Sequence, residues 1–388
     1  MGVQTFSRRD TSILGNWWWT IDRWNLGAVL LLVTIGTLLS FAASPAVADR
    51  LNLGGFYFVK RHIMMVPFAL SAMMFMSLLS MRNIRRIAFL LFLGSVILLI
   101  MTLFIGVEVK GARRWVSLAG FSIQASEFIK PAFAVLIAWI LSEVHKTPQF
   151  PGLSVAFVVL CGVLSLLLLQ PDLGMSVVIT LTWICQVFIA GLPIIWLVMV
   201  AFVAFVGFIG AYVFLPHVAR RVDQFLDPAS GDPRHDLYQI QQSLEAFGNG
   251  GLLGRGPGEG IVKRHVPDAH ADFVFAVAGE EFGLVLCLLI VLIFSFVVVR
   301  ALTKSLMSTN LFAMLAVVGL VTQFGMQALI NMASSLHLIP TKGMTMPFIS
   351  YGGSSMIALG IATGMILAFT RKSHGTVLQT PGAGSDLS

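Results

Sequence analysis

Charged residues are scarce in this sequence, and their scarcity excludes an ordinary soluble domain. Only 11% of the 388 residues are Asp, Glu, Lys or Arg, whereas 57% are hydrophobic. Soluble globular domains carry about 25% charged residues. Mean hydropathy is +0.89, and the apolar runs never stop for long enough to build a soluble domain. We therefore predict a single polytopic membrane domain.

Cysteine is rare as well. Cys161, Cys185 and Cys287 all lie inside apolar runs, which excludes a disulfide framework and a zinc-ligand spacing. Residues 1–24 are too polar, and too interrupted by tryptophan, for a cleavable signal peptide. The net charge of +7 is explained by anionic lipid headgroups and by membrane topology, so it does not indicate a nucleic-acid partner.

Ten stretches are apolar and close to the ~20 residues that a spanning helix needs. They are residues 26–45, 62–81, 87–107, 127–143, 152–169, 175–190, 194–215, 273–299, 309–333 and 345–369. The sequence thus predicts an all-α polytopic membrane protein of about ten transmembrane helices. Residues 1–25 form an N-terminal tail whose tryptophans lie at the membrane surface, 26–370 form the membrane domain, and 371–388 form a C-terminal tail.

Basic residues in the short loops predict the orientation. The loops that share one side carry Arg8, Arg9, Arg23, Arg82, Arg85, Arg86, Arg300, Lys304, Arg371 and Lys372. Short cytoplasmic loops are enriched in Lys and Arg. We therefore expect both termini to be cytoplasmic.

The opposite, outer side also carries cations, which the positive-inside rule does not explain. The short loop KGARRW, with Lys110, Arg113, Arg114 and Trp115, lies between spans 3 and 4. The long segment 216–272, between spans 7 and 8, adds more cations, among them Arg255 and Lys263. Since short outer loops usually avoid positive charge, we infer that these cations have an anionic partner on that side.

Two parts of the long segment have a structural interpretation. DLYQIQQSLEAFG predicts a short amphipathic helix lying on the membrane. GNGGLLGRGPGEG has seven glycines in thirteen residues, which lets a backbone approach a ligand closely. It is not a Walker loop, because no Gly-Lys-Ser/Thr follows.

Asp272 stands at the mouth of span 8, where water and a polar substrate reach it, and we assign it a catalytic or ligand role. Glu280 and Glu281 lie ~12 Å further along the helix, at a depth where charge is costly and often functional. The alternative is that one of them pairs with a basic residue inside the bundle. Lys130 is the candidate partner, although it also lies at i,i+3 spacing from Glu127.

Other polar residues allow two interpretations each. Ser126 is a candidate N-cap for span 4. Asp172, in the turn QPDLG, either caps the following helix or contacts a substrate. In PFISYGGSS, Ser354 and Tyr351 line a cavity or the glycines simply allow close packing. Gln323, Gln327 and Asn331 form one polar stripe, which suits helix–helix hydrogen bonds or a lumen.

A metal site is a further alternative. His265, Asp268, His270 and Asp272 cluster within eight residues and could ligate a divalent cation such as Mg²⁺ or Mn²⁺. Their spacing matches no standard site, and no cofactor is otherwise indicated.

Five motifs in fixed order resemble the SEDS family (shape, elongation, division and sporulation) of membrane proteins. They are KGARRWVSLAGFSIQASEFIKP, QPDLG, FLDPASGDP followed by QSLEAFGNGGLLGRGPGEG, VPDAHADFVFAVAGEEFG, and PFISYGGSS. The resemblance extends from about span 1 to residue 372 and is closer to the division branch than to the elongation branch. The family often has Thr where this chain has Ala271, and Asn where it has Lys110.

The resemblance implies a peptidoglycan glycosyltransferase that polymerises lipid II in the bacterial inner membrane during septal wall synthesis. It implies Asp272 as the catalytic aspartate and Arg113, Arg114 and Trp115 as the substrate loop. It also implies a class B penicillin-binding protein transpeptidase and other divisome proteins as partners.

The residues support the same chemistry. An acceptor hydroxyl needs a base, for which Asp272 is suited, and a lipid pyrophosphate leaving group needs cations. Lys110, Arg113, Arg114, Arg255 and Lys263 stand on the outer face. Two rivals are a lipid II flippase, favoured by Glu280, Glu281 and Lys130 within the membrane, and a non-catalytic divisome scaffold.

Overall fold

The computed structural model describes residues 12–109, 112–118, 121–147, 149–192, 194–214, 236–266, 268–340 and 343–371, together with residues 216, 218, 219, 222 and 223. Lys110 of the predicted substrate loop, the first eleven residues, the last seventeen and most of the stretch between 215 and 235 lie outside the described residues.

Helices make up most of the described chain. They are α1 (Ile13–Thr20), α2 (Arg23–Arg50), α3 (Tyr57–Leu78), α4 (Met81–Ile105), α5 (Ala125–Val144), α6 (Gly152–Leu169), α7 (Leu173–Ile189), α8 (Ile194–Phe214), α9 (Asp236–Gly250), α10 (Val274–Leu306), α11 (Leu311–Ser335) and α12 (Gly353–Phe369). The short helix α1 carries three of the four tryptophans predicted to lie at the membrane surface, and the fourth, Trp24, lies in the first turn of α2. Helix α9 is the amphipathic helix predicted in the long outer segment.

Seven of these helices are long and apolar enough to cross a membrane: α2, α3, α4, α5, α6, α10 and α11. Helices α7 and α12 are apolar but have only 17 residues each. The fold therefore confirms a helical membrane protein, whereas the number of ten spans stays a prediction.

Small residues let the helices pack closely, as expected between helices in a membrane. Helix α12 lies against α3 through Gly360, which faces the carbonyl of Ala69, and Gly364, which faces the carbonyl of Met73. A Cβ at either glycine would collide with the α3 backbone. Helix α5 is buried almost all round, so it forms the centre of the bundle.

A small antiparallel sheet interrupts the helices of this otherwise helical fold. Strands β1 (Val107–Val109), β2 (Ala112–Leu118) and β3 (Phe121–Ile123) pair in the order β1-β2-β3. Alternating side chains on β2, with half-buried Arg114 and buried Val116 between exposed Arg113 and Ser117, fit a strand that has one covered face. Residues 112–118, predicted as part of a loop, therefore form a strand that pairs on both sides.

The helices run between two ends of the bundle. At the Asp272 end lie the sheet, the start of α5, the end of α11 and the start of α12. At the Asp22 end, α1 is fixed to the end of α3 by a 2.9 Å hydrogen bond from Trp17 Nε1 to Ser77 Oγ. Asp22 there precedes α2 and contacts Arg300 near the end of α10.

Candidate active site

Asp272 lies in the turn before α10, and backbone hydrogen bonds hold it in place. Its N–H donates to the carbonyl of Asp268 at 3.0 Å, and its carbonyl accepts from Asn331 Nδ2 at 2.9 Å. The residue is half-buried. A Cβ placed on Gly343 would lie 3.2 Å from Asp272 Oδ2, so glycine at 343 preserves the space beside the carboxylate.

A buried polar chain connects the centre of the bundle to the segment that faces Asp272. Lys130 Nζ on α5 donates to Gln327 Oε1 at 2.6 Å. Gln327 Nε2 donates to the carbonyl and hydroxyl oxygens of Thr345 at 2.9 and 3.1 Å. Thr345 Oγ1 lies 2.8 Å from Ser355 Oγ on α12. Helices α5, α11 and α12 and the segment that contains Thr345 thus share one hydrogen-bonded network. Thr345 is only two residues from Gly343.

The polar stripe predicted on span 9 is confirmed as a set of hydrogen bonds between helices. Gln323, Gln327 and Asn331 are all buried. Gln323 Nε2 donates to the carbonyl of Lys130 at 2.8 Å, and Asn331 donates to Met344 at 2.7 Å as well as to Asp272. The stripe therefore fixes both the ammonium of Lys130 and the backbone of Asp272.

The pairing of Lys130 with Glu280 or Glu281, predicted as one alternative, is wrong. Lys130 Nζ lies 2.8 Å from Glu127 Oε2. Glu127 is one turn away on the same helix, so the ammonium of Lys130 is paired without a carboxylate from a second helix. Both side chains are almost fully buried. Ser126 is not the N-cap, because α5 already begins at Ala125, after Gln124.

Glu280 and Glu281 instead fasten the long outer segment to α10. Glu280 Oε1 accepts the N–H groups of Ile261 and Val262 at 2.8 and 2.7 Å, and its Oε2 accepts that of Lys263 at 2.8 Å. Glu281 forms a buried ion pair with the side chain of Lys263. The alternative that one glutamate pairs with a basic residue is therefore confirmed, with Lys263 as the partner.

The glycine-rich stretch approaches α10 closely. Gly250 and Gly254 face the backbone of Gly279 and Glu281 so tightly that neither has room for a Cβ. Arg255 and Gly256 donate backbone hydrogen bonds of 3.0 Å to Glu280 and Glu281. At Gly283, φ is +72°, a value that glycine adopts readily. The glycines therefore allow the backbone of this stretch to pack directly against the backbone of α10.

Asp172 and Arg114 meet in the turn between α6 and α7. Arg114 donates to the carbonyls of Gln170 and Pro171, at 3.3 Å from Nε and 2.6 Å from Nη2. Asp172 caps α7 by accepting from the N–H of Met175 at 3.4 Å, which confirms the capping interpretation. Its Oδ2 lies 3.5 Å from Ser126 Oγ. Burial raises the pKa of Asp172, against the opposing charge of Arg114.

The remaining predicted site residues differ in their surroundings. Ser354 Oγ accepts from the N–H of Gln124, at 3.4 Å, where β3 leads into α5. Arg113 is exposed and lies 3.5 Å from Glu108, and Trp115 is half-buried beside it on β2. Arg255 is exposed and bonded to Asn249. Lys263, in contrast, is buried and directed at Glu281, away from the surface.

His270 belongs to an aromatic group next to Asp272. Its ring lies 4.1 Å from the ring of Phe58 and 5.4 Å from that of Tyr351, and its carbonyl accepts the N–H of Tyr351 at 2.9 Å. Burial lowers the pKa of His270 to about 4, so the ring is neutral at neutral pH. This stacking fixes the turn that carries Asp272.

The predicted metal cluster finds no geometric support. Among the residues that the structure describes, no group of three or more His, Cys, Asp or Glu side chains is placed to hold a metal ion.

The family of this chain follows from comparison with known proteins. A family model described as "Cell cycle protein", that of FtsW, RodA and SpoVE, matches residues 23–375. The chain is 47% identical over 374 residues to the probable peptidoglycan glycosyltransferase FtsW of Caulobacter vibrioides, with 96% of this chain and 95% of the relative covered. It is 34% identical to stage V sporulation protein E of Bacillus subtilis, over 89% of this chain and 95% of the relative.

Solved structures share the fold. One, described as "Structural coordination of polymerization and crosslinking by a peptidoglycan synthase complex", is 26% identical with a TM-score of 0.75, over 90% of this chain and 97% of the other. The crystal structure of the rod shape determining protein RodA of Thermus thermophilus is 25% identical with a TM-score of 0.64, over 91% and 97% of the two chains.

Proposed function

Because this integral membrane protein belongs to the family of FtsW, RodA and SpoVE, we propose that it is a peptidoglycan glycosyltransferase that polymerises lipid II during septal wall synthesis. Relatives named as peptidoglycan glycosyltransferases match nearly the whole chain. The observation in the structure that best supports the proposal is the half-buried carboxylate of Asp272, held at the end of the bundle that also carries Arg113, Arg114 and Arg255.

Asp272 acts as the general base. The hydroxyl oxygen of the acceptor sugar forms a bond to the anomeric carbon of the donor, and the bond from that carbon to the pyrophosphate oxygen breaks. The electron pair leaves with the lipid pyrophosphate, and the hydroxyl proton moves to Asp272. A positioned base of this kind contributes about 10²–10⁴-fold to the rate.

Cations at the Asp272 end stabilise the pyrophosphate that leaves. Arg113 and Arg255 are exposed, and arginine presents a planar set of donors that matches phosphate oxygens. Lys110 adjoins the same hairpin in the sequence. Arg114 uses two of its donors on the α6–α7 turn, so its main contribution is to hold Asp172 and the hairpin in place. Trp115 offers a face for a sugar ring.

The buried polar chain holds the surroundings of Asp272 in a fixed position. The Lys130–Glu127 pair, Gln327 and Thr345 give the segment that contains Gly343 a fixed position opposite Asp272. Ser354 ties α12 to the start of α5. Such fixed positions matter, because a displacement of about 1 Å can cost about 10²-fold in rate.

The proposed partners and location follow the family. A class B penicillin-binding protein transpeptidase would crosslink the strands, and the solved complex that coordinates polymerization and crosslinking supports this pairing. Other divisome proteins would place the chain at the septum. We place both termini in the cytoplasm and the Asp272 end outside the bacterial inner membrane, where lipid II is polymerised.

Polymerisation of lipid II by the purified chain with its transpeptidase tests the proposal. Asp272→Asn should abolish glycan strands while the variant keeps its melting temperature and partner binding. Glu259→Gln, which removes an exposed carboxylate from the same outer segment, is the matched control and should remain active. Normal polymerisation by Asp272→Asn would overturn the assignment of Asp272 as the base, whereas no polymer from the unmodified chain with its transpeptidase would favour a scaffold.

Two further arms separate the alternatives. Translocation of dye-labelled lipid II in liposomes, with no polymer formed, would favour a flippase. Chelation of Mg²⁺ and Mn²⁺ should leave polymerisation unchanged if the protein side chains alone carry the chemistry.

A further inference from the structure

A cleft lies at the Asp22 end of the bundle, at the other end from the candidate active site. It has a volume of about 500 Å³ and opens between the start of α2 and the last turns of α10. Clefts of this size hold small ligands. The lining side chains include Trp19, Asp22, Arg23, Trp24, Arg300 and Lys304.

Two cations contact a single buried carboxylate in this cleft, and a third cation lines the cleft. Asp22 is 1% exposed, Arg300 Nε lies 3.0 and 2.9 Å from its two carboxylate oxygens, and Lys304 Nζ lies 2.9 Å from Oδ2. Burial opposes the charge of Asp22, but the hydrogen bonds from Lys304 and Arg300 lower its pKa, so it stays ionised. Since Arg23 also lines the cleft, the lining carries three positive charges and one negative charge, an excess of two.

The cations are accessible from outside. The side chains of Arg300 and Lys304 keep 31% and 25% of their surface exposed, and Arg23 is exposed. The guanidinium of Arg23 lies over the rings of Trp18 and Trp19, at 5.6 and 5.1 Å. This stacking holds the third cation at the rim of the cleft.

The surroundings of the cleft are those of a membrane–water boundary. Trp24, on its rim, is 71% exposed, and tryptophan is enriched at that boundary. The exposed apolar side chains of Phe296 and Val299 continue along α10 from Arg300. A molecule with its anionic head in the cleft would therefore have an apolar surface beside it for acyl chains.

We propose that this cleft binds the phosphate group of an anionic ligand. Free phosphate and the head group of an anionic phospholipid present the same chemistry, and the apolar surface of α10 favours the lipid. Basic pockets between membrane helices are suited to anionic head groups. The site lies at the far end of the bundle from Asp272, and it does not depend on the proposed glycosyltransferase activity.

Native mass spectrometry of the full chain in detergent tests this site. Phosphatidylglycerol and phosphatidylcholine are titrated separately, and inorganic phosphate is added as a competitor. We expect phosphatidylglycerol to bind more tightly than phosphatidylcholine. Arg23→Gln should weaken binding of phosphatidylglycerol about fivefold, the effect of one basic residue near a membrane surface.

A second variant changes binding in the opposite direction. Asp22→Asn raises the excess positive charge from two to three, while asparagine still caps α2, so phosphatidylglycerol should bind more tightly. Arg82→Gln removes an exposed cation from the start of α4, outside the cleft, and should leave binding unchanged. Melting temperatures confirm that each variant is folded.

The outcomes are distinct. Competition by millimolar inorganic phosphate supports the site and assigns it to free phosphate, whereas no competition assigns it to the lipid. Equal affinity for the two lipids, or an Arg23→Gln variant that binds like the unmodified chain, overturns the proposal. Because glycan polymerisation is not the readout, failure here leaves the assignment of Asp272 untouched.

Discussion

Asn331 and Asp272 are joined by a hydrogen bond of 2.9 Å, in which the side-chain amide of a membrane helix donates to the backbone carbonyl of the candidate base. The same amide nitrogen donates to the carbonyl of Met344 at 2.7 Å. One buried side chain thus holds the two segments between which the carboxylate of Asp272 lies, since Gly343 precedes Met344.

Asn331→Ala should therefore slow polymerisation about 10²-fold without removing any group that contacts the substrate. Both carbonyls lose their donor, and the turn that carries Asp272 is free to shift. Initial rates of lipid II polymerisation measure the effect. Ser335→Ala, which removes a hydroxyl one turn further along α11, is the control, and an Asn331→Ala variant as active as this control would contradict the prediction.

The Lys130–Glu127 pair gives a second prediction, on stability. Lys130→Met should lower the free energy of unfolding by about 3–5 kcal/mol, because it leaves the buried carboxylate of Glu127 without its cation. The double variant Lys130→Met, Glu127→Gln removes both charges and should recover most of that loss. Thermal melting in detergent measures both. Additive losses in the double variant would show that the two charges do not interact.

The buried carboxyl group of Asp172 should make the stability of the fold depend on pH. Burial raises its pKa above the ordinary value of 3.8, so the folded chain holds the proton more tightly than the unfolded chain. The stability due to this group is fully present below pH 3.8 and is lost as the pH rises through the raised pKa. Asp172→Asn should remove this decline, since asparagine caps α7 equally well.

Melting temperatures measured at several pH values from about pH 4 to pH 7 test the effect of Asp172. The exposed carboxylate Asp49 offers a control, because Asp49→Asn should keep the decline of the unmodified chain. An Asp172→Asn variant with an unchanged decline would show that another group causes it.

Substitution of Gly343 by alanine should reduce activity without unfolding the protein. In Gly343→Ala the new methyl group would lie 3.2 Å from Asp272 Oδ2, within the space that an acceptor hydroxyl needs. We expect polymerisation to fall about tenfold or more, with an unchanged melting temperature. Gly94→Ala, on an open face of α4 with nothing within 4 Å, should keep full activity; equal rates for the two variants would contradict this role of Gly343.

Sequence patterns predicted the helical elements well, because lipid imposes long apolar runs and turn residues mark their ends. The cap at Asp172 and the polar stripe on α11 were also readable, since both depend on local spacing. Alternating residues in VEVKGARRWVSL signalled a strand, but the charges around Lys110 favoured a loop interpretation. The hairpin was therefore missed.

Pairings across the fold were not readable in the same way. Lys263 follows the glycine-rich stretch and lies near other basic residues, and nothing in its local sequence distinguishes it from the exposed Arg255. Only the approach of that segment to α10 places it beside Glu281. The link from Lys130 through Gln327 to Thr345 likewise joins residues up to 215 positions apart, and it depends on how three elements pack.

The attachment of the glycine-rich segment to α10 has a mechanical consequence. Glu280 and the backbone around Gly283 hold residues 250–264, and Asp272 follows on the same chain only eight residues after Arg264. The outer segment and the turn that carries Asp272 are thus both attached to the part of α10 that precedes the kinked glycine. We therefore expect a partner protein that binds this segment to change the position of Asp272.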